Sequence, residues 1–402
     1  MSTWTKRKMR PQKAIKTILS AQYFMCFGIM GIMLPYFNLY CYHLNLSGLE
    51  IGTIGATRAL LIIVCGLGWS MLADRFQNRR FLYILCQFAN AWACLFLLFT
   101  QSFSGILCVI ILASFFYAPL ISFMEAFTMD LIGANKNAYG SIRLWGSIQF
   151  IVMVLCVGAL LNYFSYRIII RLMVAGFFIQ AFVSLFIPKT KLPKKQPPRP
   201  SFTIFKQTHV IIYLLSAFIM LLSHGTYYAF SSIHLEQLGA NSNEISIYWA
   251  LGSIAEILVM LNSTRIFNRF AVESVLIFSF AIATIRWLLM FCTDSVLFAI
   301  FTQVFHASTY GAFHIAGILY IDRCMPDNTK TIGQAVNNAV SYGLGMMAGA
   351  FINGYLFERI GSHHAFLFSA TLAAISGLLL WIVRSHLAKN NLSGMNIAKQ
   401  KN

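Results

Sequence analysis

Residues 48–80 read GLEIGTIGATRALLIIVCGLGWSMLADRFQNRR. A helix needs about 20 largely apolar residues to cross the hydrocarbon of a bilayer. Residues 48–73 supply such a run, with Glu50 at its start and Arg58 inside it. The run stops in a basic turn, Gln77-Asn78-Arg79-Arg80, and the next apolar stretch begins at once. The same alternation fills the chain. Twelve apolar runs can be read, at 18–42, 48–73, 80–100, 104–130, 138–162, 166–187, 209–236, 244–263, 272–291, 294–321, 331–357 and 362–383. Those longer than 25 residues imply tilt or ends that emerge from the bilayer. Turn signals such as Asn45-Leu46-Ser47-Gly48 and Pro326-Asp327-Asn328 separate the runs. The fold class expected is an all-α membrane protein, twelve transmembrane helices in two six-helix bundles.

Composition supports this and excludes other classes. Apolar residues make up 58% of the 402 and charged residues 10%, against roughly 45–50% and roughly 25% in soluble domains. Mean hydropathy is +0.69. A disordered chain, a disulfide-stapled secreted domain and an ordinary soluble enzyme are excluded. The nine cysteines contain no C-x-x-C pair and lie mostly within apolar runs, as Cys26, Cys65, Cys94, Cys108 and Cys156 do. They read as buried thiols, with no disulfide framework, no metal site and no cofactor expected. No H-E-x-x-H, G-x-S-x-G or phosphate-cradling loop is present, which argues against a membrane enzyme.

The net charge of +18 resembles a nucleic-acid signal, but position decides against one. Lys and Arg sit in short gaps between apolar runs rather than on a folded surface. Assigned to alternate loops, about 24 fall on one side and two, Arg167 and Arg359, on the other. That bias places both termini and the central loop in the cytoplasm, with the chain multi-pass in the cell's inner (plasma) membrane. The basic start is too long in its apolar part to be a signal peptide and reads as span 1.

One linker stands out. Residues 188–208 hold five of the nine prolines together with Lys189, Lys191, Lys194, Lys195, Arg199 and Lys206, a composition that stays extended and solvated. It separates an amino-terminal bundle, 1–187, from a carboxyl-terminal one, 209–402. A weak echo relates them: His43-Leu44 precedes Glu50-Ile51, and His234-Leu235 precedes Glu244-Ile245. Two repeats joined by a cytoplasmic linker are the layout of a two-bundle transporter with a site near the bilayer midplane.

The informative residues are therefore the ionisable ones inside the runs. A charge at the centre of a span costs at least about 2.5 kcal/mol and normally faces a partner or a wet cavity. Arg58, Glu125, Arg143, Glu256 and Arg286 are such cases, joined by His224, His306 and His314. Glu125 and Arg143 each lie nine positions from a turn centred on Ala134, so they should meet at similar depth. They read either as a cavity pair that binds solute or as a static pair between helices. Glu256 suits a proton carrier, or a neutral residue bonded to a neighbouring helix. Arg286 cannot discharge and needs a carboxylate, a carbonyl cluster or an anionic solute. Arg58 reads equally as a site residue and as the partner of a neighbouring acid. In the tenth run, His306, Tyr310, Phe313 and Gly317 recur at i, i+4, i+7 and i+11 on one helical face. Asp130, Asp322 and Glu50 lie near span ends, as solvated or capping groups. Gly343, Gly345 and Gly349 allow close helix approach.

At this point the sequence resembles the major facilitator superfamily. Ser70-Met71-Leu72-Ala73-Asp74-Arg75-Phe76-Gln77-Asn78-Arg79-Arg80 is similar to its loop 2–3 signature, matching at Asp74, Arg75 and Arg79, with Ser70 and Gln77 in place of two glycines. The resemblance implies a gating role for Asp74, Arg75 and Arg79. A closer likeness is to the phenylpropionate-permease-like branch, relatives of the lactose permease and nucleoside–proton symporters. Leu34-Pro35-Tyr36-Phe37, Tyr139-Gly140-Ser141-Ile142-Arg143-Leu144-Trp145-Gly146-Ser147, Ile285-Arg286-Trp287 and His306-Ala307-Ser308-Thr309-Tyr310-Gly311 carry it. The resemblance implies that Glu125 and Arg143 contact solute and that Glu256, Arg286 and His306 form the carboxyl-half polar set. The acid expected three residues after His306 is Thr309 here, which leaves Glu256 or Glu125 as proton carrier.

The expectation is a secondary active transporter, a proton-coupled symporter importing a small organic solute such as an aromatic acid or nucleoside by alternating access. Its partners are the solute, protons and lipid, and it acts as a monomer. Two alternatives stand beside it: proton-antiport efflux of an amphipathic compound, and a membrane receptor or scaffold that retains a transporter fold.

Overall fold

In the computed structural model, residues 3–133, 138–189, 203–326 and 329–399 are described. They are helical throughout, with no strand among them. Eleven helical stretches are long and apolar enough to cross a membrane. The last of these, Lys330–Ile382, has 53 residues, which as one straight helix would extend about 80 Å. It is broken at Gly361, with φ 80° and ψ 170°. That break accounts for the two runs read from the sequence at 331–357 and 362–383.

The helices are α1 Thr3–His43, α2 Gly48–Phe76, α3 Arg79–Leu95, α4 Phe103–Tyr117, α5 Leu120–Ile132, α6 Ala138–Leu160 and α7 Arg167–Ser184. The second series is α8 Thr208–Ser223, α9 Gly225–Gln237, α10 Ser242–Arg269, α11 Val272–Cys292, α12 Val296–Phe301, α13 Phe313–Cys324, α14 Lys330–Asn337 and α15 Met346–Lys399. Local chemistry sets their ends. Ser47 and Glu50 form a capping box at the start of α2, satisfying two N–H groups that the first turn leaves unpaired. Glu50 is thus a cap, as the sequence suggested. Gln77 ends α2 at φ 51°, holding a left-handed turn where the resembled signature carries glycine. Pro119 divides α4 from α5, because proline lacks the N–H that a helix interior requires.

Two spans contain π-helical turns, at Ala307–Ala312 and Asn338–Gly345. Such turns widen the hydrogen-bond ring to i→i+5 and gather at functional sites. The helices turn apolar side chains outward: Phe99, Leu261 and Leu297 are each more than three-quarters exposed, as lipid-facing residues are.

The chain forms two compact units. The first comprises residues 1–195 with 228–253, and the second 196–227 with 254–402. In the first, α1 packs along α6 and α7. In the second, α15 packs along α8 and α11. Most of the proline-rich linker expected at 188–208 lies outside the described residues.

Candidate functional site

In the second unit the polar centre is Arg286. Its side chain sits on α11 and is fully buried. Nη1 donates to Thr309 Oγ1 at 3.0 Å and lies 3.1 Å from His306 Nδ1, while Nη2 donates to Gln303 Oε1 at 3.0 Å. The guanidinium lies 4.5 Å from the Tyr227 ring centroid and 4.6 Å from that of Trp287. Tyr227 in turn donates to Gln303 Oε1 at 3.2 Å. Every contact is with a neutral group. Among the described residues no carboxylate lies within ion-pair distance of Arg286. Arg286 Nε, Trp287 Nε1 and Gln303 Nε2 are buried without a hydrogen-bond partner. A buried cation normally carries its counter-charge with it. Here it is ringed instead by neutral acceptors and spare donors, the chemistry that receives an anion or a hydrogen-bond acceptor.

The π turn arranges the neighbouring side chains. His306 and Tyr310 stack at 5.3 Å and 10°, and Tyr310 and His314 at 6.1 Å and 4°. His314 Nδ1 lies 2.7 Å from the Tyr342 hydroxyl. The face read from the sequence, His306 with Tyr310, Phe313 and Gly317, is corrected accordingly. The wider turn slows the rotation per residue, so residues four apart superpose and His314 joins the column. Phe313 is buried and packs on Phe280. Glu256, on α10, is half-buried beside this turn. A Cβ built on Gly311 would stand 3.3 Å from Glu256 Cγ, so only glycine there leaves ordinary van der Waals room. His224 lies in the break between α8 and α9, buried edge-on to Trp287 at 5.1 Å.

Beneath this set the second unit is closely knit. Thr226 bonds Asn353 Oδ1 and Ser369 Oγ, each at 2.8 Å. Asn353 Nδ2 donates to Gly349 O at 2.8 Å. A Cβ on Gly225 would lie 2.6 Å from Gly349 Cα. The small residues bring the two helices into backbone contact, which places Tyr227 under Arg286.

The first unit holds the other predicted pair, but not as an ion pair. Glu125, on α5, accepts from the Tyr139 hydroxyl at 3.1 and 3.2 Å. The Arg143 guanidinium, one turn along α6, lies 5.7 Å from the Phe27 ring centroid, and its Nε has no hydrogen-bond partner. Among the described residues no ion pair joins Glu125 to Arg143. Tyr139 stands between them in chain order, at i−4 to Arg143, and takes the carboxylate first. The turn at Ala134 on which the pairing was reckoned lies outside the described residues. Arg58 lies 5.5 Å from the Tyr117 ring centroid.

Of the gating residues, Arg79 pairs with Asp130 at 2.9 Å. Asp130, read from the sequence as a solvated or capping residue, is exposed near the end of α5 and there also meets Arg79. Arg75 is exposed, and the Asp74 side chain lies outside the described residues. Sequence reading missed a cluster at the far end of α1. His43 Nε2 lies 2.9 and 3.0 Å from the two Glu236 oxygens, the Tyr166 hydroxyl donates to Glu236 at 2.7 Å, and Tyr166 stacks on His43 at 3.6 Å. Burial and the Glu236 carboxylate push the Tyr166 phenol up. The His43 and His234 echo was the signal beside it, but only tertiary packing shows that Glu236 is the partner.

Comparison with known proteins agrees with this architecture. The MFS_1 like family matches residues 16–368. A probable 3-phenylpropionic acid transporter of Escherichia coli K12 is 25% identical over 373 residues, covering 90% of this chain and 96% of that protein. The maltose permease of Geobacillus stearothermophilus is 23% identical, covering 93% and 96%. The crystal structure of the nucleoside transporter NupG superposes with a TM-score of 0.82 at 17% identity, covering 92% of this chain and 98% of that one. The last likeness shows the fold, and the family match and the relatives show the class: this chain belongs to the MFS_1 like family and is a multi-pass membrane transporter of the major facilitator type, not an enzyme.

Proposed function

We propose that the protein is a proton-coupled symporter that imports a small organic solute by alternating access. The observation that carries this reading is Arg286, a fully buried guanidinium held by neutral groups alone. Such a centre is stable enough to persist and short of one counter-charge, so an acceptor-bearing solute completes it. Glu256 beside the π turn and Glu125 on Tyr139 are the carboxylates that take and release the proton, being acids placed inside membrane spans. Protonation first, solute second, then movement of the two bundles, 1–187 and 209–402, about the linker 188–208 is the order that avoids carrying an uncompensated charge. Relatives named for a phenylpropionic acid and for maltose, and a structural neighbour named for nucleosides, support a small organic solute as the class. The basic loops set both termini in the cytoplasm of a cell whose plasma membrane holds the protein, as a monomer.

The test is uptake by the purified protein in proteoliposomes with an imposed pH gradient, using the solute that most raises its unfolding temperature. Acid outside should drive accumulation. Glu256→Gln and Glu125→Gln should abolish the response to the gradient in one or both variants, and Arg286→Gln should abolish binding. Uptake indifferent to the gradient, or normal transport by all three variants, refutes the reading.

A further inference from the structure

The adjacent arginines at the start of α3 go separate ways. Arg79 turns to Asp130 on α5 at 2.9 Å. Arg80 turns to the end of α7, where Nε donates to Ile187 O and Nη2 donates to Leu185 O, the latter at 2.7 Å. These carbonyls lie beyond the last residue of α7, Ser184, where a helix leaves its acceptors unpaired. The two bonds hold the guanidinium in place across α3 and α7, and Nη1 remains for an outside acceptor.

Arg80 lines a groove of about 400 Å³ together with Lys189 and Asn78, within the size range of small-molecule sites. Asn78 Oδ1 accepts from Phe81 N at 3.3 Å, so its amide presents N–H groups to the groove. The remaining wall is apolar and comes from α3 alone: Phe81, Ile84, Leu85 and Phe88. From Arg80 to Phe88 this strip runs about 12 Å along the helix. Phe182 of α7 meets Phe88 edge-on at 5.4 Å, and Phe81, Leu85 and Phe182 are exposed. Among the described residues no carboxylate lines the groove.

Two cations at the head of a hydrocarbon trough match one kind of molecule that a membrane supplies. A phosphate diester seats on Arg80 and Lys189, since a guanidinium meets phosphate through paired N–H groups. An acyl chain then lies along Phe81, Leu85 and Phe88. A zwitterionic lipid would bring its own ammonium beside both cations, with no acid in the groove to offset it. Free phosphate would leave the apolar strip unused. Basic pockets between spans hold anionic head groups in this manner.

We propose that Arg80 and Lys189 bind the phosphate of an anionic phospholipid whose chain follows the apolar strip of α3, giving the first unit a specific lipid site. The inference takes nothing from the importer reading, and lipid binding needs no gradient.

The test uses the full chain in mixed micelles of detergent and lipid, with thermal unfolding followed against phosphatidylglycerol, phosphatidylcholine and inorganic phosphate at matched ionic strength. Phosphatidylglycerol should raise the midpoint in a saturable manner, and the other two should not. Lys189→Gln should shift the phosphatidylglycerol midpoint concentration upward about fivefold, the ~1 kcal/mol that one cation near the membrane surface contributes. Arg80→Gln should weaken the response further. Because it also frees the Leu185 and Ile187 carbonyls, Lys189→Gln decides the matter should Arg80→Gln fail to fold. Arg265→Gln removes the same charge from an exposed position in the second unit and should respond as the unaltered chain does. The proposal is overturned if phosphatidylglycerol has no effect, if phosphatidylcholine or phosphate matches it, or if Lys189→Gln responds as Arg265→Gln does. Loss of proton-driven uptake with the lipid response intact would refute symport and leave this site standing.

Discussion

Replacing Gly225 with alanine tests how the second unit positions its polar centre. The added methyl would stand 2.6 Å from Gly349 Cα and 2.5 Å from its carbonyl oxygen, where ordinary contact is 3.4–4 Å. These are backbone atoms and cannot rotate away, so α9 and α15 must separate by about 1 Å. Overpacking of this kind costs about 1–3 kcal/mol, a fall of a few degrees in the unfolding midpoint at the scale of ~2–4 °C per kcal/mol for domains of this size class. The displacement reaches the site within two residues, because Tyr227 follows Gly225 on the same turn, 4.5 Å from the Arg286 guanidinium. Gly140→Ala is the control: nothing lies within 4 Å of the Cβ it would gain, and in the first turn of α6 replacing glycine stabilises by up to about 0.5–1 kcal/mol. The assay is detergent unfolding of both variants beside solute uptake. Gly225→Ala should lose stability and transport together, while Gly140→Ala gains stability and keeps transport. A Gly225→Ala protein as stable as the original, or equal losses in the two variants, refutes the close-approach argument.

Ser47→Ala removes the capping box at α2 and should lower stability by about 0.5–2 kcal/mol in the same unfolding assay. Tyr166→Phe removes the 2.7 Å bond to Glu236, at a cost of about 0.5–3 kcal/mol. The Tyr166 phenol is raised above its ordinary value in the folded protein. Its contribution is therefore full below the unfolded value near ~10 and lost as pH rises toward the folded one. The cost of Tyr166→Phe should thus be constant from about pH 6 to about pH 9 and shrink only at higher pH, as unfolding curves across that range will show. Arg286→Lys keeps the charge but reduces the fork to a point donor, so it should bind solute more weakly than the original chain and more strongly than Arg286→Gln. Equal binding by Lys and Arg would mean that charge alone matters there.

The membrane class and the helical order were legible in the sequence because they rest on runs of apolar residues long enough for a bilayer, a one-dimensional property. The break at Gly361, the cap at Ser47 and the interruption at Pro119 follow from residue types with fixed backbone consequences. Arg286 and His306 could be nominated as intramembrane groups, since cost singles them out wherever they point. Their partners could not. Gln303 and Thr309 reach Arg286 because the tenth span passes through a 3-10 and then a π turn, and a local change of helical pitch leaves no periodic mark in the sequence. For the same reason the helical face read at His306, Tyr310, Phe313 and Gly317 did not include His314, which stacks on Tyr310.

Glu125 shows the other limit. Equal distance from a turn fixes depth, but not which of two neighbours on the facing helix reaches the carboxylate, and Tyr139 took it. Whether Arg58 had an acid at hand was likewise a question of packing, and each carboxylate of its unit among the described residues is engaged elsewhere. Sequence alone determined which groups are out of place in a bilayer, because burying charge is costly whatever the fold. Tertiary structure decided which of them are compensated, because compensation needs atoms brought within about 3 Å from distant parts of the chain.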